Sequence, residues 1–353
     1  MKDIDESKLN DLVGKMLNDL GGATSVALVR MGEGLGLYET LHEDGPATSD
    51  ELATRTGCAE RYLREWLSHH AASGYLEYDP STGRFGLSPE QAAVFADEDS
   101  PVYLVPAFDI AKVMLDNQPS VEEAFRTGGG VGWGDQAPCL FCTTARFFRP
   151  GYAANIVQNW IPALDGVAAK LERGAKVADV GCGHGISTLL MADAFPNSEF
   201  VGYDFHPDSV AAAQAHARAH GTKGRVRFEE GLAKDYPGED YDLVTFFDCL
   251  HDMGDPTGAA RHVRETLRPD GTWMIVEPMA HDRLEENLNP VGRMFYGAST
   301  MICVPTSLAQ EVGAALGAQA GEARLREAVI GGGFTRVRRA TETPFNMILE
   351  ARP

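Results

Sequence analysis

A glycine-rich run at residues 179–188, Asp-Val-Gly-Cys-Gly-His-Gly-Ile-Ser-Thr, is the feature of the sequence with the clearest chemistry. It follows a strand-like apolar segment at 177–180. Gly181 and Gly183 permit a sharp turn and a close approach of ligand to backbone, and the helix that follows directs its free amides to the same point. This arrangement is typical of a loop that holds a nucleotide-like cofactor.

Asp204 ends the next strand-like segment, 19 residues after Gly185. A carboxylate at this place can accept hydrogen bonds from both hydroxyls of a ribose. Phe205, beside it, offers an apolar face to a purine ring. Ile186 stands where a dinucleotide fingerprint has its third glycine, so the spacing argues against a nicotinamide-dependent oxidoreductase.

Strands and helices alternate from residue 176 onward, which is typical of a parallel sheet with helices on both faces. The segment 280–331 is too apolar for a simple loop, and we expect helices there that cap the site. The predicted strands are 177–180, 200–202, 226–228, 241–247, 272–277, 334–338 and 345–349, and the predicted helices between the first five are 187–194, 208–220 and 257–267.

Residues 176–278 resemble the core of a class I S-adenosylmethionine-dependent methyltransferase. The glycine loop, Asp204, the segments 228–232 and 241–244 and the turn 267–272 follow one another in family order. The N-terminal part of the chain, residues 1–99, and the inserted segment at about 280–331 are similar to small-molecule O-methyltransferases and to related bacterial winged-helix methyltransferases. The resemblance implies an α/β fold with a Rossmann-like seven-stranded sheet, S-adenosylmethionine as cofactor, a small-molecule acceptor and a homodimer.

The resemblance also implies roles for individual residues toward the cofactor. It places Asp204 at the ribose, Phe205 and Leu232 at the adenine, and Phe247 beside the sulfonium. Many relatives have an acid where Leu232 stands, so adenine binding here would depend more on packing and backbone amides. The residues implied to bind the cofactor are Asp179, Gly181, Cys182, Gly183, Asp204, Phe205, Gly231, Leu232 and Phe247.

For catalysis, the resemblance places His251 as the general base that deprotonates an acceptor hydroxyl, with Glu277 holding its imidazole. Histidine titrates near neutral pH, and a carboxylate on its far nitrogen fixes the tautomer. Met253 stands where the plant enzymes have tryptophan, so the acceptor pocket can differ. His251 as a structural histidine, Glu277 as a loop cap, and N- or C-methylation by positioning without a base all remain alternatives.

Residues up to about 95 have a helix, turn, helix, hairpin pattern, which predicts a winged helix. Ser49 is the expected cap of one helix, Gly57 its end, and the next helix covers 60–72 with Leu63, Trp66, Leu67 and His70 inward. Residues 1–100 hold 8 basic and 19 acidic side chains, a net charge of −11. A DNA-reading helix normally shows a basic stripe. A role in dimer contacts is therefore favoured over a DNA-binding regulator with a ligand-sensing core.

The whole chain of 353 residues carries a formal charge of −20, which disfavours phosphate-rich partners and anionic membranes. No apolar run approaches the roughly 18 residues that span a bilayer, so we expect a cytoplasmic protein. The predicted divisions are a winged-helix and dimerisation domain at 1–99, a helical linker and lid at 100–170, and a cofactor-binding domain at 171–353 with a lid insertion at about 280–331.

Metal sites and disulfides are not expected from the cysteines and histidines. Cys139 and Cys142 have redox-motif spacing in an apolar stretch without a second cysteine pair, and His216 and His220 lie on a surface-type helix. Apolar residues near the expected lids favour an aromatic or lipid-like acceptor, although they would serve equally in a core or dimer interface. They are Phe108, Met114, Phe141, Phe147, Phe148, Phe295, Tyr296 and Met301.

Overall fold

A computed structural model describes residues 4–137, 140–222 and 224–353. Cys139, half of the Cys-x-x-Cys spacing, lies outside the described residues. The chain forms two compact units, one up to Lys112 and one from Val113.

The helices are α1 (Glu6–Gly34), α2 (Leu37–Glu43), α3 (Ser49–Thr56), α4 (Glu60–Ala72), α5 (Pro89–Phe95), α6 (Val105–Thr127), α7 (Leu140–Asn155), α8 (Val167–Arg173), α9 (Ile186–Ala194), α10 (Pro207–His220), α11 (Pro256–Thr266), α12 (Pro290–Ala298), α13 (Val304–Leu308) and α14 (Gly321–Gly331). The strands are β1 (Glu77–Asp79), β2 (Arg84–Gly86), β3 (Lys176–Val180), β4 (Glu199–Asp204), β5 (Val226–Glu230), β6 (Tyr241–Phe247), β7 (Leu267–Pro278), β8 (Arg336–Glu342) and β9 (Asn346–Arg352).

The first unit contains the predicted helix, turn, helix, hairpin order. α3 begins at Ser49, one residue earlier than a Ser49 cap requires, so Ser49 as the cap is wrong and Thr48 caps the helix instead. The extended backbone of Thr48 lets its hydroxyl accept from the Glu51 amide, while the Glu51 side chain accepts from the Thr48 amide. Gly57 ends α3 with a φ of 72°, as predicted.

Helix α4 covers the predicted residues and buries the predicted face. Leu63, Trp66, Leu67 and His70 are all buried. The His70 imidazole Nε2 lies 2.7 Å from the Tyr38 hydroxyl, and its Nδ1 lies 2.9 Å from the Trp66 carbonyl oxygen. β1 and β2 then pair antiparallel to form the hairpin.

The second unit is built on a seven-stranded sheet of order β5-β4-β3-β6-β7-β9-β8. β3 to β7 pair parallel with one another, whereas β9 pairs antiparallel with β7 and β8. This confirms the predicted α/β fold with a seven-stranded sheet. β8 begins two residues later than predicted because Phe334 is buried against the Trp273 ring instead of entering the ladder.

Both faces of this sheet are covered, which explains the continuous apolar runs in its central strands. α9 and α10 contribute to the apolar cluster on one face, and α11 and α14 to the cluster on the other. The strand order reverses between β3 and β6, so the carboxyl ends of these neighbours diverge into a crevice. That crevice is where the glycine loop and the residues after β6 meet. Within the described ranges, no helix has the length and apolar character that crossing a membrane requires.

Candidate active site

The glycine loop follows β3 in a conformation that needs glycine. Gly181, Gly183 and Gly185 have φ angles of 74°, 52° and 78°. At Gly185 an added Cβ would lie 2.4 Å from the Phe228 ring, so shape as well as backbone angle requires glycine there. The amides of Gly181 and Cys182 donate to the Tyr203 carbonyl oxygen, which ties the loop to the end of β4.

Asp179 holds this loop from beneath. Its Oδ2 accepts from the hydroxyls of Ser187 and Thr188 at 2.7 and 2.5 Å, and its Oδ1 accepts from the Thr245 hydroxyl at 2.9 Å. Burial raises the pKa of the Asp179 carboxyl. With its oxygens occupied, Asp179 does not line the cavity described below.

Asp204 ends β4 at the edge of the crevice. Its Oδ2 accepts from the Gly183 amide and its Oδ1 from the His206 amide, both at 2.9 Å. The side chain is nearly buried, and burial raises its pKa although these amides favour the charged form. Asp204 thus joins the glycine loop to the start of α10.

A cavity of about 240 Å³ lies over the carboxyl ends of β3, β4 and β6. It brings together eight of the nine residues implied to bind the cofactor, all except Asp179. Phe205 and Leu232 are 48% and 47% exposed, so two apolar side chains flank its mouth. Its other lining residues include Trp133, Phe141, Phe148, Tyr152, His184, Asp248, Cys249, Asp252, Met253 and Thr306.

The lining suits a nucleoside that carries a polar tail. An added Cβ at Gly183 would meet no atom within 4 Å, so the loop leaves open space beside its backbone. His184 Nε2 is buried in the lining without a hydrogen-bond partner among the described residues. Burial lowers the pKa of His184, so a neutral imidazole is available to a ligand. A carboxylate, two apolar faces and an unpartnered imidazole match the chemistry of S-adenosylmethionine.

His251 and Glu277 come together behind the cavity wall. The imidazole Nδ1 of His251 lies 2.6 Å from Oε2 of Glu277, and the other Glu277 oxygen accepts from the Leu250 amide. The His251 Nε2 lies 3.1 Å from Oδ1 of Asp252, a contact without hydrogen-bond alignment. Asp252 lines the cavity, whereas His251 and Glu277 do not. The three residues form a row that reaches from the sheet to the cavity.

This row favours the protonated imidazole. Burial lowers the pKa of His251, but the carboxylates of Asp252 and Glu277 outweigh it, and the pKa lies well above the usual value. The Sγ of Cys303 lies within 4.8 Å of a carboxylate oxygen of Asp252. Burial together with the Asp252 charge raises the pKa of the Cys303 thiol to about 12.

Four residues of the site, His184, Asp252, Asp248 and Tyr152, were not predicted from the sequence. Asp248 directly follows β6 with a φ of 49°, accepts hydrogen bonds of 2.8 Å from Tyr152 and Asn346, and lines the cavity. Burial and the nearby Glu277 charge raise the pKa of Asp248 to about 8. Asp248 could have been found from the sequence, because it is an acid directly after a buried strand that ends at the crevice. Tyr152 lies 96 residues away from Asp248, and no sequence pattern indicates their contact.

The apolar residues expected at the acceptor pocket divide between the two units. Phe141 and Phe148 line the cavity, and Phe148 stacks on Tyr152 with ring centroids 5.3 Å apart. Phe108 instead packs against the apolar cluster of the first unit.

Two family models match the chain. Residues 171–321 match a methyltransferase domain, and residues 23–96 match an Rv2258c-like winged HTH domain. The ubiquinone biosynthesis O-methyltransferase of Bordetella avium (strain 197N) is 31% identical over 151 residues, which are 42% of this chain and 56% of that protein. The protein of the same name from Xanthomonas euvesicatoria is 34% identical over 130 residues, 36% of this chain and 51% of that protein. This chain therefore spans about half the length of the curated relatives it matches.

Solved structures share the fold over nearly the full chain. The mitomycin 7-O-methyltransferase MmcR superposes with a TM-score of 0.69 at 21% identity, covering 98% of this chain and 100% of that one. Human N-acetylserotonin methyltransferase, solved in complex with SAM, has a TM-score of 0.70 at 16% identity and covers 100% of this chain and 99% of that one. At these identities the likeness establishes the fold.

Proposed function

We propose that this chain, in which a methyltransferase domain follows a winged helix-turn-helix domain, is an enzyme that transfers a methyl group to a small apolar or aromatic acceptor. The cofactor is S-adenosylmethionine. The observation that carries the proposal is one cavity lined by eight of the nine residues that the family resemblance implies for cofactor binding. When bound, the cofactor supplies a methyl group made electrophilic by its sulfonium.

The protein's own residues give the cofactor its orientation. Asp204 would meet the ribose and Phe205 with Leu232 the adenine, while the open side of Gly183 admits the polar tail. Asp179 acts as a positioning residue through the hydroxyls of Ser187 and Thr188. Holding methyl donor and acceptor in line, away from water, contributes much of the acceleration of such a displacement.

For the acceptor, we propose a hydroxyl and His251 as the general base. The acceptor hydroxyl would approach the wall at Asp252 and give its proton to the unprotonated Nε2 of His251. Its oxygen would take the methyl group as the bond from sulfur to methyl breaks, which leaves S-adenosylhomocysteine as an uncharged thioether. Glu277 accepts from Nδ1 and so keeps the Nε2 lone pair toward Asp252. The apolar walls at Phe141, Phe148 and neighbouring residues support an aromatic acceptor. An acceptor nitrogen or carbon that needs no base is the alternative.

Binding of S-adenosylhomocysteine tests the cofactor assignment, and transfer of a labelled methyl group from S-adenosylmethionine to a panel of phenols tests the activity. We expect S-adenosylhomocysteine to raise the Tm of the wild-type protein, and we expect no such rise for Asp204→Ala. A Tm unchanged by S-adenosylhomocysteine would contradict the proposal. Transfer to amines at a rate unaffected by His251→Ala would support the alternative without a base.

We also propose that the protein is a homodimer joined through α1. This helix exposes an apolar stripe at helical spacing, and an exposed stripe of this kind marks an interaction surface. Its members are Leu9, Leu12, Val13, Met16, Leu17 and Leu20, all between 45% and 65% exposed.

The charges of α4 support a winged helix that does not read DNA. Arg61 pairs with Glu65 at 2.5 Å and Arg64 with Glu60 at 2.8 Å on the same helix. These guanidinium groups are balanced by acids that would face the phosphates. We therefore place nucleic acid outside the proposed partners.

A further inference from the structure

A mixed set of potential metal ligands lies behind the cavity wall. A ring nitrogen of His251, a carboxylate oxygen of Asp252 and the Sγ of Cys303 all lie within 4.8 Å of one another. Because Nδ1 of His251 is engaged by Glu277 at 2.6 Å, Nε2 is the nitrogen available to a metal. His251 and Cys303 are buried, and Asp252 is largely shielded. Oδ1 of Asp252 is buried and lies 3.1 Å from Nε2 of His251, a contact that lacks hydrogen-bond alignment. A buried carboxylate oxygen without a well-aligned donor is costly unless something else satisfies it.

We propose that His251, Asp252 and Cys303 form a site for a zinc ion. One nitrogen, one oxygen and one sulfur ligand suit Zn²⁺, which is commonly held by such mixed sets in tetrahedral geometry. Three protein ligands leave a fourth position for water, and Asp252 connects the site to the cavity.

Glu277 prepares His251 for this role. Zinc-binding histidines usually donate their second ring N–H to a carboxylate, which fixes the ring and strengthens the metal-binding nitrogen. The 2.6 Å contact between Nδ1 and Glu277 has this form. The negative charges of Asp252 and Glu277 in a buried region further favour a cation between them.

Binding releases protons and changes no oxidation state. The Cys303 S–H bond breaks as the zinc–sulfur bond forms, and any proton on the Nε2 of His251 also leaves; both protons pass to solvent. The site therefore competes with the proposed base, because the Nε2 lone pair cannot bind zinc and accept a proton at once. This consequence rests on the proposed function: zinc-loaded protein is inactive, and a chelator restores it.

The test uses the full chain freed of metal by a chelator and then titrated with Co²⁺ and Zn²⁺. We expect one equivalent of Co²⁺ with a thiolate-to-cobalt absorption band, displaced by Zn²⁺. Cys303→Ser should lose the band and bind zinc at least about tenfold more weakly. Cys249→Ser is the matched control, because this cysteine lies two residues before His251 but its thiol donates to the Val180 carbonyl oxygen; the variant should bind zinc normally.

Absence of zinc binding, or equal binding by Cys303→Ser, would overturn the site. The Tm shift with S-adenosylhomocysteine, measured without metal, shows whether Cys303→Ser is folded. The same measurement separates the two proposals. If S-adenosylhomocysteine raises the Tm but zinc does not bind, the proposed function stands and the zinc site is wrong. If zinc binds but S-adenosylhomocysteine leaves the Tm unchanged, the zinc site stands and the proposed function is wrong. Zinc that accelerates transfer would refute the competition with the base.

Discussion

The imidazole Nδ1 of His251 lies 2.6 Å from Oε2 of Glu277, and both side chains are almost fully buried. Glu277 is itself fixed, because its second oxygen accepts from the Leu250 amide. The contact therefore sets both the tautomer and the direction of His251, and Nε2 has Asp252 as its neighbour at the cavity wall. This orientation carries the chemistry proposed for the site.

Replacing the two residues should have graded effects. His251→Ala removes the base, and we expect kcat to fall by roughly 10²- to 10⁴-fold. Glu277→Gln keeps the volume but removes the charge that orients the imidazole, so a smaller loss is expected. Affinity for S-adenosylhomocysteine, measured by calorimetry, should stay unchanged in both. Wild-type turnover by His251→Ala would eliminate the base assignment.

The rate of the wild-type enzyme should rise with pH as His251 loses its proton. Because the carboxylates of Asp252 and Glu277 raise the pKa of His251 well above its usual value, Nε2 becomes a base only as pH rises through that raised pKa. Glu277→Gln removes one carboxylate that raises the pKa, so its rising limb should move to lower pH although its maximum is smaller. A pH–kcat profile of both proteins measures this; identical limbs would contradict the electrostatic role of Glu277.

Asp248 should make cofactor binding depend on pH. Its pKa of about 8 means that it is mostly neutral at pH 6.5 and ionised at pH 9. The ionised carboxylate attracts the sulfonium of S-adenosylmethionine and has no such charge to attract in S-adenosylhomocysteine. We expect the affinity for S-adenosylmethionine relative to that for S-adenosylhomocysteine to rise by about three- to tenfold between pH 6.5 and pH 9, where tenfold corresponds to about 1.4 kcal/mol. In Asp248→Asn this relative affinity should not change with pH. A relative affinity that is independent of pH in the wild-type protein would disprove the effect.

Local order along the chain was enough to predict which residues gather at one edge of the sheet, whereas contacts between distant side chains could not be predicted. Strand order and the glycine loop place eight of the nine residues expected at the cofactor around one cavity, because parallel strands end at the same edge, and their role toward the cofactor stays a prediction. The proximity of Cys303 to His251 and of Tyr152 to Asp248 depends on packing between segments remote in sequence. Even the cap of α3 was displaced by one residue, since Thr48 and Ser49 are both good capping residues and only backbone geometry distinguishes them.

Alanine substitutions at two glycines should distinguish the free-energy cost of a positive φ from the cost of steric crowding. Gly221 has a φ of 66° with open space around an added Cβ, whereas Gly185 has a φ of 78° and would place that Cβ against Phe228. We expect Gly221→Ala to lose about 1 kcal/mol of unfolding free energy. Gly185→Ala should lose about 2–4 kcal/mol, because overpacking adds to strain. Denaturant titration measures both, and equal losses would mean that the Phe228 ring moves aside.

The apolar stripe of α1 should control the oligomeric state. Leu12 and Leu17 are 56% and 65% exposed, so charged residues there should be tolerated by the fold of one chain but not by an apolar interface. The double variant Leu12→Glu/Leu17→Glu should halve the mass measured by light scattering, with little change in the far-ultraviolet circular dichroism. Leu115→Glu, an exposed leucine on α6, is the matched control and should keep the wild-type mass. A wild-type protein of monomer mass, or a dimer that persists in the double variant, would show that α1 does not join two copies.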